Sequence, residues 1–261
     1  VVDEALKGVD AVVHLAAIVG DPACARQPDL ARSVNLDASL ALLGAAKSKG
    51  VRRFVFASTC SNYGRMKDPN GYVDETADLS PVSLYAETKV AVENAVLAAS
   101  DTGFCATALR CATVFGVSPR MRFDLTVNEF TMEMISKEEI TVFGETMWRP
   151  YIHVRDMARG IIAVLEAPET SVQGEVFNLG STDQNYQKQQ LVELIKTHAP
   201  NANVKFVHKA EDPRDYRVTF KKIHDTLGFE TTRSVPDGIG EVAALVRSGV
   251  ITDFQDSRWR N

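Results

Sequence analysis

The sequence is poor in several features that would each have fixed a class of protein. Cysteine is scarce: four residues, at 24, 60, 105 and 111, with no Cys-x-x-Cys pair among them. That excludes a disulfide-framed scaffold and a thiolate metal knuckle, and it points to reduced thiols in a cytoplasm and to no metal site. Long apolar runs are missing too. The fullest, "AVVHLAAIVG" at 11–20, falls far short of the roughly 20 residues a membrane helix needs, and no signal-peptide pattern opens the chain. Basic charge is in deficit, with 29 Lys and Arg against 34 Asp and Glu and a net charge of -5. Scattered cations on an acidic chain leave no footprint for nucleic acid. Internal repeats, low-complexity tracts and flexible linkers are absent as well.

What remains is an ordinary globular composition, 45% hydrophobic and 24% charged over 261 residues, enough for one large domain or two closely joined ones. The pattern along it alternates. "AVVHLAA" (11–17) is a nearly continuous apolar run, as a strand buried on both faces requires, and the helical period of "DLARSVNLDASLALLGAAKSKG" follows it to Gly50. "RRFVFAST" (52–59) repeats the strand signal; a polar loop with "DPNG" leads to a helix in "SPVSLYAETKVAVENAVLAAS", and "FCATALRCATVFG" (104–116) is a third strand. Such alternation predicts a doubly wound parallel sheet whose ligand lies beyond the carboxyl ends of the strands. Ala16, Thr59 and Thr113 stand at those ends.

After Gly116 the rhythm changes to a helix in "FDLTVNEFTMEMIS", a short strand in "EITVFG", a strand-helix unit in "YIHVRDMARGIIAVLEAP" and a strand in "GEVFNLG". Residues from about 185 onward read as helix, strand and helix. The expected division is a Rossmann-type domain, N-terminally incomplete, over 1–116 plus about 150–182, with a small α/β substrate lobe over about 117–149 plus 183–261 and a cleft between them.

"SLYAETK" (83–89) sets Tyr85 four residues before Lys89 at the start of a helix. At that spacing the two side chains share a face, so the ammonium is expected to favour the phenolate and draw a pKa of about 10 toward working pH. With "HLAA" at one strand end and "FASTCSNYG" at the next, the order and spacing of the three stretches resemble the extended short-chain dehydrogenase/reductase family of nucleotide-sugar epimerases and dehydratases. "RPYIHVRD" (149–156) and "FNLG" (177–180) are similar to further stretches of that family, so the resemblance spans the whole chain.

The resemblance implies an NAD-dependent oxidoreductase of the epimerase type, with NADP not excluded, acting on a nucleotide diphosphate sugar. It makes Tyr85 the acid and base, Thr59 its hydrogen-bond partner and Lys89 the tuner of Tyr85 and clamp of the nicotinamide ribose. Ala16 and Ala17 would let the dinucleotide approach the backbone, Asn35 would support the same region, and His14 reads as a core histidine. Asn128, Arg149 and Arg214 would meet the diphosphate, with Cys60 and Ser61 beside the sugar. A homodimer is expected through the helices of 29–49 and 81–100, which are apolar over more than one stripe.

The sequence also departs from that family. Cys60 and Ser61 stand where its dehydratases carry an acid pair, which favours an epimerase, or else a ketosugar reductase, over water elimination. Cys111 and Thr113 replace an aromatic and an Asn in the pocket wall. The Gly-rich turn that meets the pyrophosphate, due roughly fifty residues before "HLAA", does not occur among these residues. A late match, Gly238, Gly240 and Ala243 in "VPDGIGEVAAL", follows Pro236 rather than a buried strand and reads as a helix start. Since the Tyr-Lys-Thr set is complete and no Met begins the chain, a fragment of a longer enzyme is expected, the alternative being a shortened, non-catalytic family member.

Overall fold

The structure, a computed structural model, describes residues 1–68, 71–208 and 214–261; Pro69 and Asn70 of the "DPNG" loop, and Asp212 and Pro213 of "DPRDYR", lie outside the described residues. Its strands are β1 (Ala11–His14), β2 (Arg53–Thr59), β3 (Cys105–Cys111), β4 (Thr113–Phe115), β5 (Glu139–Phe143), β6 (Trp148–His153), β7 (Val176–Leu179), β8 (Asn185–Gln187) and β9 (Asn203–Val207). Its helices are α1 (Val2–Ala5), α2 (Asp21–Arg26), α3 (Pro28–Arg32), α4 (Ala38–Ser48), α5 (Leu84–Ala99), α6 (Thr126–Ser136), α7 (Val154–Glu166), α8 (Glu169–Val172), α9 (Lys188–Lys196), α10 (Lys221–Leu227) and α11 (Val235–Ser248).

Strands β1, β2, β3 and β7 form one parallel sheet in that order. Both faces are covered, which is why Phe54–Ala57 of β2 form an unbroken apolar run and β3 is apolar at five of its seven positions. Phe54 and Phe56 pack with Val92 and Val96 of α5 and Leu43 of α4 on one side. Val55, Leu109 and Phe177 pack with Ile161 and Val164 of α7 on the other. Each large apolar side chain so buried contributes about 1.5–3 kcal/mol relative to exposure. Helix α5 starts sharply because Ser83 accepts the Ala86 N–H in a side-chain cap.

The third strand does not run straight on to Gly116. Ala112 still donates to the Leu179 carbonyl, but the chain then leaves the sheet, and β4 pairs in parallel with β6. Strand β6, counted with the dinucleotide domain from the sequence, therefore bonds to β4 and, antiparallel, to β8, while α7 after it covers the main sheet. Strands β5 and β9 make a separate parallel pair. The lobe has its own core of Phe115, Phe130, Tyr151, Leu191, Ile195 and Ile239.

The glycines of "VPDGIGEVAAL" open α11 behind a capping box of Ser234 and Asp237. Gly238 is there for close approach: a Cβ on it would stand 2.3 Å from the Phe115 ring. Among the described residues no helix is long and apolar enough to cross a membrane and no three metal-ligating side chains gather.

Candidate active site

Beyond the carboxyl ends of β2 and β3 lies a cleft of about 370 Å³, closed on one side by the loops after β1 and β4 and on the other by the segment at 214–216. Tyr85, Lys89, Thr59, Ser61, Arg122 and Arg214 line it together with apolar side chains, and among the described residues no Asp or Glu lines it. Its three cations, of which Arg122 is paired with Asp124 at 2.7 Å and Arg214 with Asp21, suit an anionic ligand.

The first turns of α5 bring Tyr85 and Lys89 into this cleft on one helix face. Lys89 is 3% exposed; its Nζ donates to the Ala57 carbonyl at 2.7 Å and stands 4.6 Å from the centre of the Phe56 ring. The same Nζ is 5.9 Å from the centre of the Tyr85 ring. Burial draws the ammonium down to about 8, against the opposing pull of Cys111 and Cys24. Tyr85 behaves contrary to the sequence expectation. Burial, followed by the thiols of Cys111 and Cys24 and by Asp21, raises its phenol, and Arg122 is the cation that opposes them. The main reason is burial, which penalises the charged phenolate, while Lys89 donates to a backbone carbonyl.

Thr59 ends β2, 8% exposed. Its Oγ1 accepts the Ser61 N–H at 3.1 Å and so caps the short turn Cys60–Tyr63. That bond uses a lone pair and leaves the O–H able to donate. Ser61 is 3.4 Å from the Tyr216 hydroxyl and 3.5 Å from Arg214 Nη1. Arg214 also pairs with Asp21 at 3.1 Å, and Asp21 accepts the Ser83 hydroxyl at the start of α5. The segment at 214–216 is thereby tied to the start of α5.

Four residues proposed from the sequence are held by hydrogen bonds of their own within the fold. Asn35 sits in a wide helical turn, Ser33–Asp37; its Oδ1 accepts the Ile18 N–H at 2.7 Å and its Nδ2 donates to the Ile18 carbonyl at 2.9 Å. Its amide is thus engaged in fixing the loop after β1 rather than turned to a cofactor. Asn128 lines the cleft, but it holds the loop after β4 in the same way, accepting from Gly116 N at 3.0 Å and donating to the Arg122 carbonyl at 3.1 Å. A φ of +104° at Gly116, where a Cβ would stand 2.3 Å from His153, makes that loop's course possible. Cys60 is buried with its thiol donating to the Arg110 carbonyl, outside the cleft. Arg149 is 6% exposed; it donates to the Trp148 carbonyl and stacks on Tyr216 at 5.2 Å, so it supports a wall residue and is not itself among the lining residues.

His14 is a core histidine, 2.8 Å from the Ser39 hydroxyl and stacked on Phe56. Burial and Lys89 draw its pKa down to about 4. In the loop that Asn35 holds, Ala16 is exposed and Ala17 half-buried. Small, accessible side chains there leave the backbone of the loop open to close approach.

Two wall residues went unnoticed in the sequence. Tyr216 stands two places after Arg214, the spacing that puts both on one face of an extended segment. Arg122 follows a strand end by a few residues, where binding residues gather, but nothing in "SPRMRF" separates it from a surface charge.

Comparison with known proteins agrees with this geometry. Residues 1–180 match the model of the NAD dependent epimerase/dehydratase family. An uncharacterized UDP-glucose epimerase of Bacillus subtilis is 31% identical over 246 residues, covering 92% of this chain and 75% of that protein. The UDP-glucose 4-epimerase of Corynebacterium glutamicum is 29% identical over 250 residues, covering 88% and 74%. UDP-glucuronic acid decarboxylases and dTDP-glucose 4,6-dehydratases are among the relatives as well. The fold superimposes with a TM-score of 0.84 on the UDP-glucuronic acid 4-epimerase of Bacillus cereus in complex with UDP-glucuronic acid and NAD, at 25% identity over 95% of this chain and 78% of that one. Parallel sheet, strand-end cleft, Tyr85–Lys89 pair and family match converge: the chain belongs to the NAD-dependent epimerase/dehydratase family.

Proposed function

We propose that the protein is an NAD-dependent epimerase of a nucleoside diphosphate sugar. The observation that carries this reading is the meeting of Tyr85, Lys89 and Thr59 in one cleft. NAD, when bound, supplies the hydride acceptor and donor. Tyr85 takes the proton of the sugar hydroxyl as its carbon is oxidised to a ketone and returns it when hydride comes back to the opposite face. The positive charge of the oxidised nicotinamide is what would bring the raised phenol toward working pH. Thr59 donates its O–H to the same sugar oxygen and orients it, and Lys89 holds the ribose and adds positive charge. Arg214 meets the diphosphate from the lobe side of the cleft.

Elimination of water is disfavoured because Ser61 has no carboxyl and Cys60 lies outside the cleft. The relatives named for UDP sugars make UDP the expected nucleotide. A homodimer through the outer faces of α3, α4 and α5 is part of the proposal: Leu30 and Leu40 are 49% and 38% exposed there, and a monomer by light scattering at tens of micromolar would overturn it. Titration calorimetry of the full-length protein with UDP, GDP, CDP and dTDP tests the main reading. Tight binding of UDP over the others supports it, and binding of none removes it.

A further inference from the structure

One residue before the strand ends, three consecutive strands of the main sheet carry a polar side chain at the same level. Ser58 of β2 is the register partner of Arg110 of β3, and Arg110 is the partner of Asn178 of β7. All three are buried. Two residues earlier the same face is apolar, with Phe56, Ala108 and Val176 in register. The polar row is therefore a single layer directly beneath Thr59 and Cys111.

The row closes on Glu93 of α5, fully buried. Arg110 donates to it from Nε at 3.1 Å and from Nη2 at 2.7 Å. The Ser58 hydroxyl donates to Glu93 Oε2 at 2.6 Å, and Asn62 Nδ2 donates to Ser58 Oγ at 3.1 Å. Nη1 of Arg110 donates to the Tyr63 hydroxyl at 2.9 Å, which in turn donates to Asn178 Oδ1 at 2.7 Å. A layer of apolar side chains would fill this space at lower desolvation cost, since buried ion pairs are often replaced by hydrophobic residues without loss of stability. What apolar packing cannot supply is one geometry, because an Arg fork and a carboxylate fit in only one way.

Glu93 lies four residues after Lys89 and eight after Tyr85, on the same face of α5. The helix therefore grips consecutive residues of β2 at two points: Lys89 holds the Ala57 carbonyl and Glu93 the Ser58 hydroxyl. The next residue of the strand is Thr59. We propose that the Glu93–Arg110 layer is a positioning device for proton transfer, locking α5 against the end of β2 so that Tyr85 and Thr59 address the same substrate oxygen. Glu93 is a positioning residue, acting through Ser58 and Arg110 without touching substrate. The kinetic part of this inference rests on the epimerase reading; the geometric part does not.

The test is the double variant Glu93→Leu/Arg110→Met, which removes both charges at similar volume, with Ser58→Ala as a milder second variant that leaves the ion pair intact. Two readouts are taken in the full-length protein: turnover of nucleotide sugar, and titration of Tyr85 followed by the ring-carbon signal of labelled tyrosine, assigned by its loss in Tyr85→Phe. The expected result is a folded double variant with KM within about threefold of wild type, kcat lower by on the order of tenfold or more, and a shifted Tyr85 titration midpoint. Ser58→Ala moves both readouts in the same direction by less, and it decides alone if the double variant does not fold. An unchanged kcat or an unmoved Tyr85 midpoint in a folded variant overturns the proposal. If the wild type turns over no nucleotide sugar, the epimerase reading fails and the Tyr85 titration by itself decides the positioning role.

Discussion

His14 should make the fold sensitive to mild acid, and the size of the effect can be worked out from its surroundings. The imidazole is 7% exposed, stacked on Phe56 and joined to the Ser39 hydroxyl. Its pKa falls from 6.5 to about 4. The unfolded chain therefore takes up a proton as pH drops below 6.5, whereas the folded protein resists until about 4, so stability is lost as pH falls through that window and is fully present above it. Integrating between the two values gives a loss of about 2 kcal/mol by pH 5 and about 3 kcal/mol by pH 4. Carboxylates titrate in the same range, so the comparison must cancel them. His14→Gln can keep a hydrogen bond to Ser39 and does not titrate. Urea melts of both proteins at pH 7, 6 and 5 should show the stability of wild type relative to the variant declining by about 2 kcal/mol. A difference between them that stays constant with pH would refute the neutral, buried imidazole.

Three further outcomes are expected. Tyr85→Phe should abolish turnover in the full-length protein while leaving NAD affinity nearly intact, since it removes a proton and no packing volume; activity within about threefold of wild type would remove Tyr85 from the chemistry. Arg214→Lys should weaken UDP binding by on the order of tenfold, about 1.4 kcal/mol, without changing NAD affinity, as read by calorimetry. Gly238→Ala should lower stability by about 1–3 kcal/mol in urea melts, because its new methyl meets the Phe115 ring at 2.3 Å.

The alternation of apolar runs with helical periods made the parallel sheet legible, because strands buried on both faces are mostly apolar and helices that cover them are apolar on one side. The exit of β4 was not. Thr113–Phe115 continues the β3 pattern without a break, and only the partner changes, from β7 to β6. The Tyr85–Lys89 pair was legible from spacing, but the direction of the Tyr85 shift was not, since it is set first by burial of the phenol in the folded cleft. The backbone partners of Asn35, Asn128 and Arg149 were not legible either, for one physical reason: a buried amide or guanidinium must be satisfied, and the nearest backbone often does so first. Glu93 and Arg110 stand 17 residues apart and drew no notice. Their pairing exists only once β3 lies beside β2 beneath α5.

The central claim is that a sugar carbon is inverted by removal and return of its own hydride. The direct measurement is to incubate the full-length protein with NAD and a UDP-hexose in heavy water and to follow the inverted carbon by NMR. Hydride carried by NAD and returned without exchange gives an epimer that keeps its original hydrogen at that carbon, formed at a rate that collapses in Tyr85→Phe. An epimer bearing deuterium at the inverted carbon would contradict the account, because its hydrogen would have come from solvent rather than from the cofactor.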